Sequence, residues 1–179
     1  MLAPEPTGWG TKFISLAQPC LHLAAAVGSL LCTAWMAYLL INREIQRQTL
    51  PSKLQLGWLY AEGSCVAFPG FQRSYAFSLA QETSVAIEAE GIGYFANVGT
   101  AGNRAERPLF SGVWKPTPAP SSFFSEGSPL SLHCGRDGSW LWPAGIEEAL
   151  RRTGSFYMQT GPRAIFVIPQ LRLVVGTAG

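Results

Sequence analysis

The residues best equipped for chemistry are few and fall in three places. His133 directly precedes Cys134, which sets an imidazole base next to a thiol. A cysteine acts as a nucleophile when a base or a positive field favours its thiolate. On an extended strand, however, neighbouring side chains point to opposite faces, so His133 would not serve Cys134. Glu88 and Glu90 share one parity and offer paired carboxylates, but they alternate with Val85 and Ile87. That alternation is what the solvated side of a half-buried strand requires. Gly91-Ile92-Gly93-Tyr94-Phe95-Ala96 matches the G-x-G-x-x-G/A spacing. The spacing cradles a dinucleotide only where a helix opens at its third position, and Gly99 and Gly102 would break such a helix. The six residues read as a turn or bulge between strands.

No catalytic residue, cofactor-binding residue or metal ligand is therefore expected, and no cofactor. The chain has 2 histidines, and His22 lies in an apolar run, which leaves little material for a His-based triad or a zinc site. Of the 4 cysteines, Cys20 and Cys32 belong to that run and read as small apolar residues. Cys65 and Cys134 lie beyond it. They form a disulfide if this part of the chain is exported and their Cα atoms come within about 7 Å. In a reducing compartment they are free thiols.

The elements that hold these groups begin with the apolar run. Between Lys12 and Arg43 there is no Lys, Arg, Asp or Glu, and Leu21 to Ile41 is interrupted only by His22, Ser29 and Thr33. About 20 helical residues cross the roughly 30 Å hydrocarbon core, so residues 19–41 are expected as a single transmembrane helix. Pro19 suits its first turn. Trp9, Phe13, Trp35 and Tyr38 suit the headgroup levels. A cleaved signal peptide would have a shorter core and a small-residue site after it, and nothing suitable follows Ile41. Residues 1–18 then form an N-terminal tail, 42–56 a juxtamembrane linker and 57–179 a β-rich domain.

Sidedness draws on opposed arguments. Arg43, Arg47 and Lys53 follow the helix, against Lys12 before it, which favours a cytoplasmic C-terminal side. The remaining chain is balanced in charge and rich in Gly, Pro, Ser and aromatics, which favours the extracytoplasmic side. The second reading is the one adopted.

With 179 residues and a net charge of +2, the chain has room for one ordinary domain plus its anchor. Its 13% charged and 47% hydrophobic residues exclude global disorder. The charge of +2 supplies no basic field for nucleic acid. Four cysteines are too few for a disulfide-built miniprotein.

Beyond the linker the pattern turns to β. Gly57 to Phe68, Ser74 to Leu79, Ser84 to Glu90, Gly93 to Val98, Pro108 to Trp114, Leu130 to Cys134 and Ser139 to Trp142 read as short strands. So do Ser155 to Gln159, Ala164 to Ile168 and Leu171 to Val175. Gln81-Glu82-Thr83 reads as a hairpin connection, and Lys115 to Pro129 as a proline-stiffened loop. One helix stands out at residues 146–152, where Glu147/Arg151 and Glu148/Arg152 pair at i,i+4 before Gly154. The expected fold is mainly β, an antiparallel sandwich or partly open barrel with one short helix.

Ser74 to Gly91, with its aromatic-x-Phe-x-Leu strand turning into Val-x-Ile, resembles the strand pair opening bacterial prepeptidase C-terminal-type sandwich domains. The resemblance covers 18 residues and implies a sandwich; no function is carried with it.

These readings favour a non-enzymatic, single-pass membrane subunit whose β domain makes protein contacts in a membrane or cell-envelope complex. The partners expected are the bilayer and other envelope proteins, a second copy of the chain among them, and not nucleic acid. The candidate interface aromatics are Trp58, Trp114, Phe123, Phe124, Trp140 and Trp142. The alternative is a membrane-tethered enzyme or ligand-sensing domain on the same β scaffold.

Overall fold

The structure is a computed structural model that describes residues 10–51, 53–67, 70–97, 112–125 and 132–178. It divides into two units, residues 1–44 and 45–179.

Helix α1 runs Gly10–Thr49 and carries the apolar run. It starts earlier than the run suggests, so Pro19 falls in its interior rather than in its first turn. Between His22 and Thr49 it holds a stretch long and apolar enough to cross a membrane, and none of that stretch is buried. Thr33 resolves its own polarity, since its hydroxyl lies 3.0 Å from Ser29 O and 2.9 Å from Leu30 O. Trp35 and Tyr38 stack with centroids 5.8 Å apart.

The second unit is built on one antiparallel sheet of six strands in the order β1-β2-β6-β5-β4-β3. The strands are β1 (Leu56–Ala67), β2 (Gly70–Leu79), β3 (Lys115–Pro116), β4 (Phe156–Thr160), β5 (Arg163–Ile168) and β6 (Leu173–Ala178). The helices are α2 (Gln81–Glu90), α3 (His133–Gly138) and α4 (Ile146–Arg151).

Both faces of the sheet are covered. On the first face Tyr75, Phe77, Met158, Ile165, Val167 and Val174 pack with Ile87 of α2 and with Leu50, Leu54, Tyr94 and Phe95. On the second, Ala76, Tyr157, Phe166, Ile168 and Val175 pack with Phe123, Leu132 and Leu150 of the loops and α4. That double burial explains why every residue from Ala164 to Ile168 is buried and why β5 reads as an unbroken apolar run. The expected mainly antiparallel β fold is present; among the described residues helices and loops, rather than a second sheet, cover the faces, and the sheet does not close into a barrel.

Other expectations shift with it. Residues 84–90 are helical, not a strand, because Thr83, Ser84 and Ile87 form the buried side at helical spacing while Val85 faces outward. Gln81-Glu82-Thr83 opens this helix instead of closing a hairpin. Gly91 ends it with φ 58°, its N–H donating to Ile87 O. The strand pair implied by the prepeptidase-type resemblance is therefore absent from these residues. Gly91–Asn97 is a 3-10 segment. Residues 133–134 open α3, and 139–142 form a turn. Residues 112–114 belong to no helix or strand, and 98, 108–111, 126–131 and the tail 1–9 lie outside the described residues. The expected helix at 146–152 is α4.

The segment read as a juxtamembrane linker is mostly structured. It is helical to Thr49, and Leu50 and Leu54 are buried against the sheet. Lys53 Nζ donates to Tyr94 O at 3.0 Å and sits 4.1 Å from the Tyr94 ring centroid, while Tyr94 OH donates to Lys53 O at 3.1 Å.

Candidate functional site

Cys65 and Cys134 come together where α3 lies on the β1–β2 hairpin. They are at disulfide distance, with Cα atoms 5.1 Å apart and 69 residues between them in sequence. The approach depends on missing side chains. A Cβ on Gly63 would stand 2.8 Å from Gly135 Cα, and one on Gly138 2.9 Å from the Ser64 amide nitrogen. Beneath α3 lies a small buried polar group. Gln72 Nε2 donates to Thr177 Oγ1 at 3.1 Å, Ser74 Oγ lies 3.4 Å from the same oxygen, and Gln72 Oε1 is 3.3 Å from Cys134 Sγ. The bonds to Thr177 Oγ1 satisfy polar side chains that burial would otherwise penalise.

His133 does not act on Cys134. Arg136 Nη2 lies 2.6 Å from His133 Nδ1, and a guanidinium can only donate, so Nδ1 accepts. The ring proton then sits on Nε2 and goes to Phe124 O at 3.0 Å. Nε2 thus holds the start of α3 against the Phe124 loop, while Nδ1 is engaged by Arg136 within α3 itself; both are positioning tasks.

The remaining candidates separate. Glu88 and Glu90 are two residues apart on a helix, about 200° around its axis, so they form no paired site. The glycine spacing from Gly91 follows α2 and itself lies in a 3-10 segment, so among the described residues no α-helix opens at its third position as a dinucleotide site needs. Among the described residues no group of three or more His, Cys, Asp or Glu could hold a metal.

A depression of about 450 Å³ lies between the α2 and α4 regions, with Glu88, Glu148, Arg152 and Gln170 in its lining. Its polar groups largely engage one another or the wall. Arg152 Nη2 donates to Glu148 at 2.6 Å, and Gln170 Nε2 donates to Ser155 Oγ at 2.7 Å.

The six aromatics expected at an interface divide sharply. Phe123 is fully buried, edge-on to Phe166 at 4.9 Å and Tyr157 at 5.7 Å, which makes it core and corrects its expected surface role. Trp114 is half-buried and stacks on Phe95 at 4.2 Å. Phe124 lies 4.2 Å from the Arg151 guanidinium carbon, and Trp142 packs by Gly135; both are half-buried. Only Trp58, 80% exposed, and Trp140, 93% exposed, remain on the surface.

Among the other exposed apolar residues that sequence reasoning missed, Val66 and Phe71 face each other across the β1–β2 pair. The signal was present in Pro69-Gly70, a turn dipeptide that makes its flanks cross-strand neighbours. Comparison with protein-family models, with curated proteins and with solved structures finds no match to this chain.

Proposed function

We propose that this chain is a non-enzymatic, single-pass membrane subunit whose β-rich unit makes contacts with other membrane or envelope proteins on the extracytoplasmic side. The observation that carries the reading is the exposure of Trp140 and Trp58 on a unit whose other large aromatics mostly pack inward. Tryptophan is enriched at the energetic centres of interfaces, because one rigid side chain removes much apolar surface from water.

The anchor is supported by the lack of cover over α1. Leu23, Leu30, Leu31, Trp35, Met36, Leu40 and Ile41 are exposed, and an apolar helix left in water would cost about 25 cal/mol for each Å² uncovered. Lipid removes that cost. Export is supported by the Cys65–Cys134 approach, since such pairs persist in oxidising compartments.

The test is purification of the full chain in mild detergent with a mass measurement, beside the W58A/W140A double variant. The expected result is a complex heavier than the 19.3 kDa chain and its detergent, lost in the variant. A monodisperse monomer with no crosslinkable partner contradicts the proposal.

A further inference from the structure

The ladder places two arginines in one row. Arg73 of β2 and Arg163 of β5 both pair with Ala178 of β6, so they flank it on the first face of the sheet. Two strand spacings separate them, about 10 Å. Ser64 and Thr160 extend the row at either side. Arg73 is exposed and Arg163 half-buried, and among the described residues neither makes an ion pair. The nearest acid in the adjoining row, Glu62, is held by Tyr60 OH at 2.6 Å. One row further out, on the same face, stand Val66 and Phe71.

Guanidinium groups bind phosphate and carboxylate oxygens, while a neighbouring aromatic and aliphatic pair prefers the acyl boundary. We propose that this end of the sheet docks on the anionic headgroups of a bilayer, with Arg73 and Arg163 on phosphate oxygens and Phe71 and Val66 dipping beneath them. The inference rests on the membrane-anchor reading. Only eight residues of chain separate Ile41, at the end of the apolar run, from Thr49. Thr49 in turn meets Tyr75, on the same strand as Arg73.

The test is photo-crosslinking of the full chain in vesicles carrying a diazirine phospholipid, with either phosphatidylcholine alone or a phosphatidylserine mixture. Adducts on residues 22–41 report the anchor, and adducts on 64–75 and 163 report the docking. The expected result is roughly tenfold more docking adducts in the anionic vesicles. R73Q/R163Q should abolish that gain and R73K/R163K should keep most of it. Adducts on 22–41 with none near Phe71 in either lipid overturn the docking alone, and chain-to-chain crosslinks there would assign the face to a second copy. Absence of adducts on 22–41 overturns the anchor itself. Should the glutamine variant misfold, the two lipids compared on the native chain still decide.

Discussion

The Tyr75 hydroxyl lies 3.2 Å from Thr49 Oγ1 and is the donor in that bond, because Thr49 gives its only proton to Gln46 O at 2.6 Å. The bond ties the last turn of α1 to the middle of β2. It also fixes the ring over Gly176, where any Cβ would collide with it.

Burial of this hydroxyl pushes the Tyr75 pKa up to about 12, against smaller opposing effects of Thr49 and Arg163. Between pH 10 and about 12 the unfolded chain loses this proton while the folded chain keeps it. Stability therefore holds below pH 10 and falls as pH rises through that window, by up to about 2–3 kcal/mol. Unfolding in detergent followed from pH 9 to 12 should show the loss. Y75F should flatten it, at a cost of about 1 kcal/mol at neutral pH for the missing bond. An unchanged alkaline profile in Y75F contradicts the assignment.

The Cys65–Cys134 pair restrains a long stretch of chain, and opening it should cost about 2–4 kcal/mol. The reduced Cys134 thiol would find an acceptor in Gln72 Oε1 at 3.3 Å, so the fold should loosen without collapsing. Melting with and without reductant measures the loss. Thiol labelling in intact cells, where Cys65 and Cys134 should stay unmodified until reduced, tests the compartment.

Gly63→Ala should be among the most damaging small substitutions. Its methyl would meet the backbone of Cys134 and Gly135, and neither can yield as a flexible side chain would. A loss of about 1–3 kcal/mol is expected, with slower formation of the disulfide. A neutral result would mean that α3 does not press on β1.

Phe123 and Trp140 should behave oppositely. Phe123→Ala empties a fully buried site and should cost about 3–5 kcal/mol. Trp140→Ala should change stability by less than about 0.5 kcal/mol while weakening partner binding. Denaturant unfolding of both variants, beside the complex mass, separates the roles.

Much of the scaffold was legible because single patterns sufficed. A charge-free run finds its helix in α1, acids four residues ahead of arginines find α4, and β-branched or aromatic runs between turns find β4, β5 and β6. Residues 84–90 misled because Val85 and Ile87 satisfy period two, while the helical set Thr83, Ser84 and Ile87 was disguised by its two hydroxyls. Ser84 is buried because its Oγ reaches Pro169 O at 2.8 Å, a partner 85 residues away. What covers the sheet was less legible: at β5 the unbroken apolar run signals burial on both faces but does not say whether a second sheet or helices and loops supply the cover. The site was less legible still. Nothing local tells Phe123 from Trp140, and the Arg73–Arg163 row exists only once β6 lies between β2 and β5.

The most direct test of the anchored-subunit account is alkaline carbonate extraction of membranes containing the intact polypeptide, followed by flotation. The account predicts that the chain stays with the lipid and floats with it. Release into the carbonate supernatant as a detergent-free, water-soluble globule would contradict it.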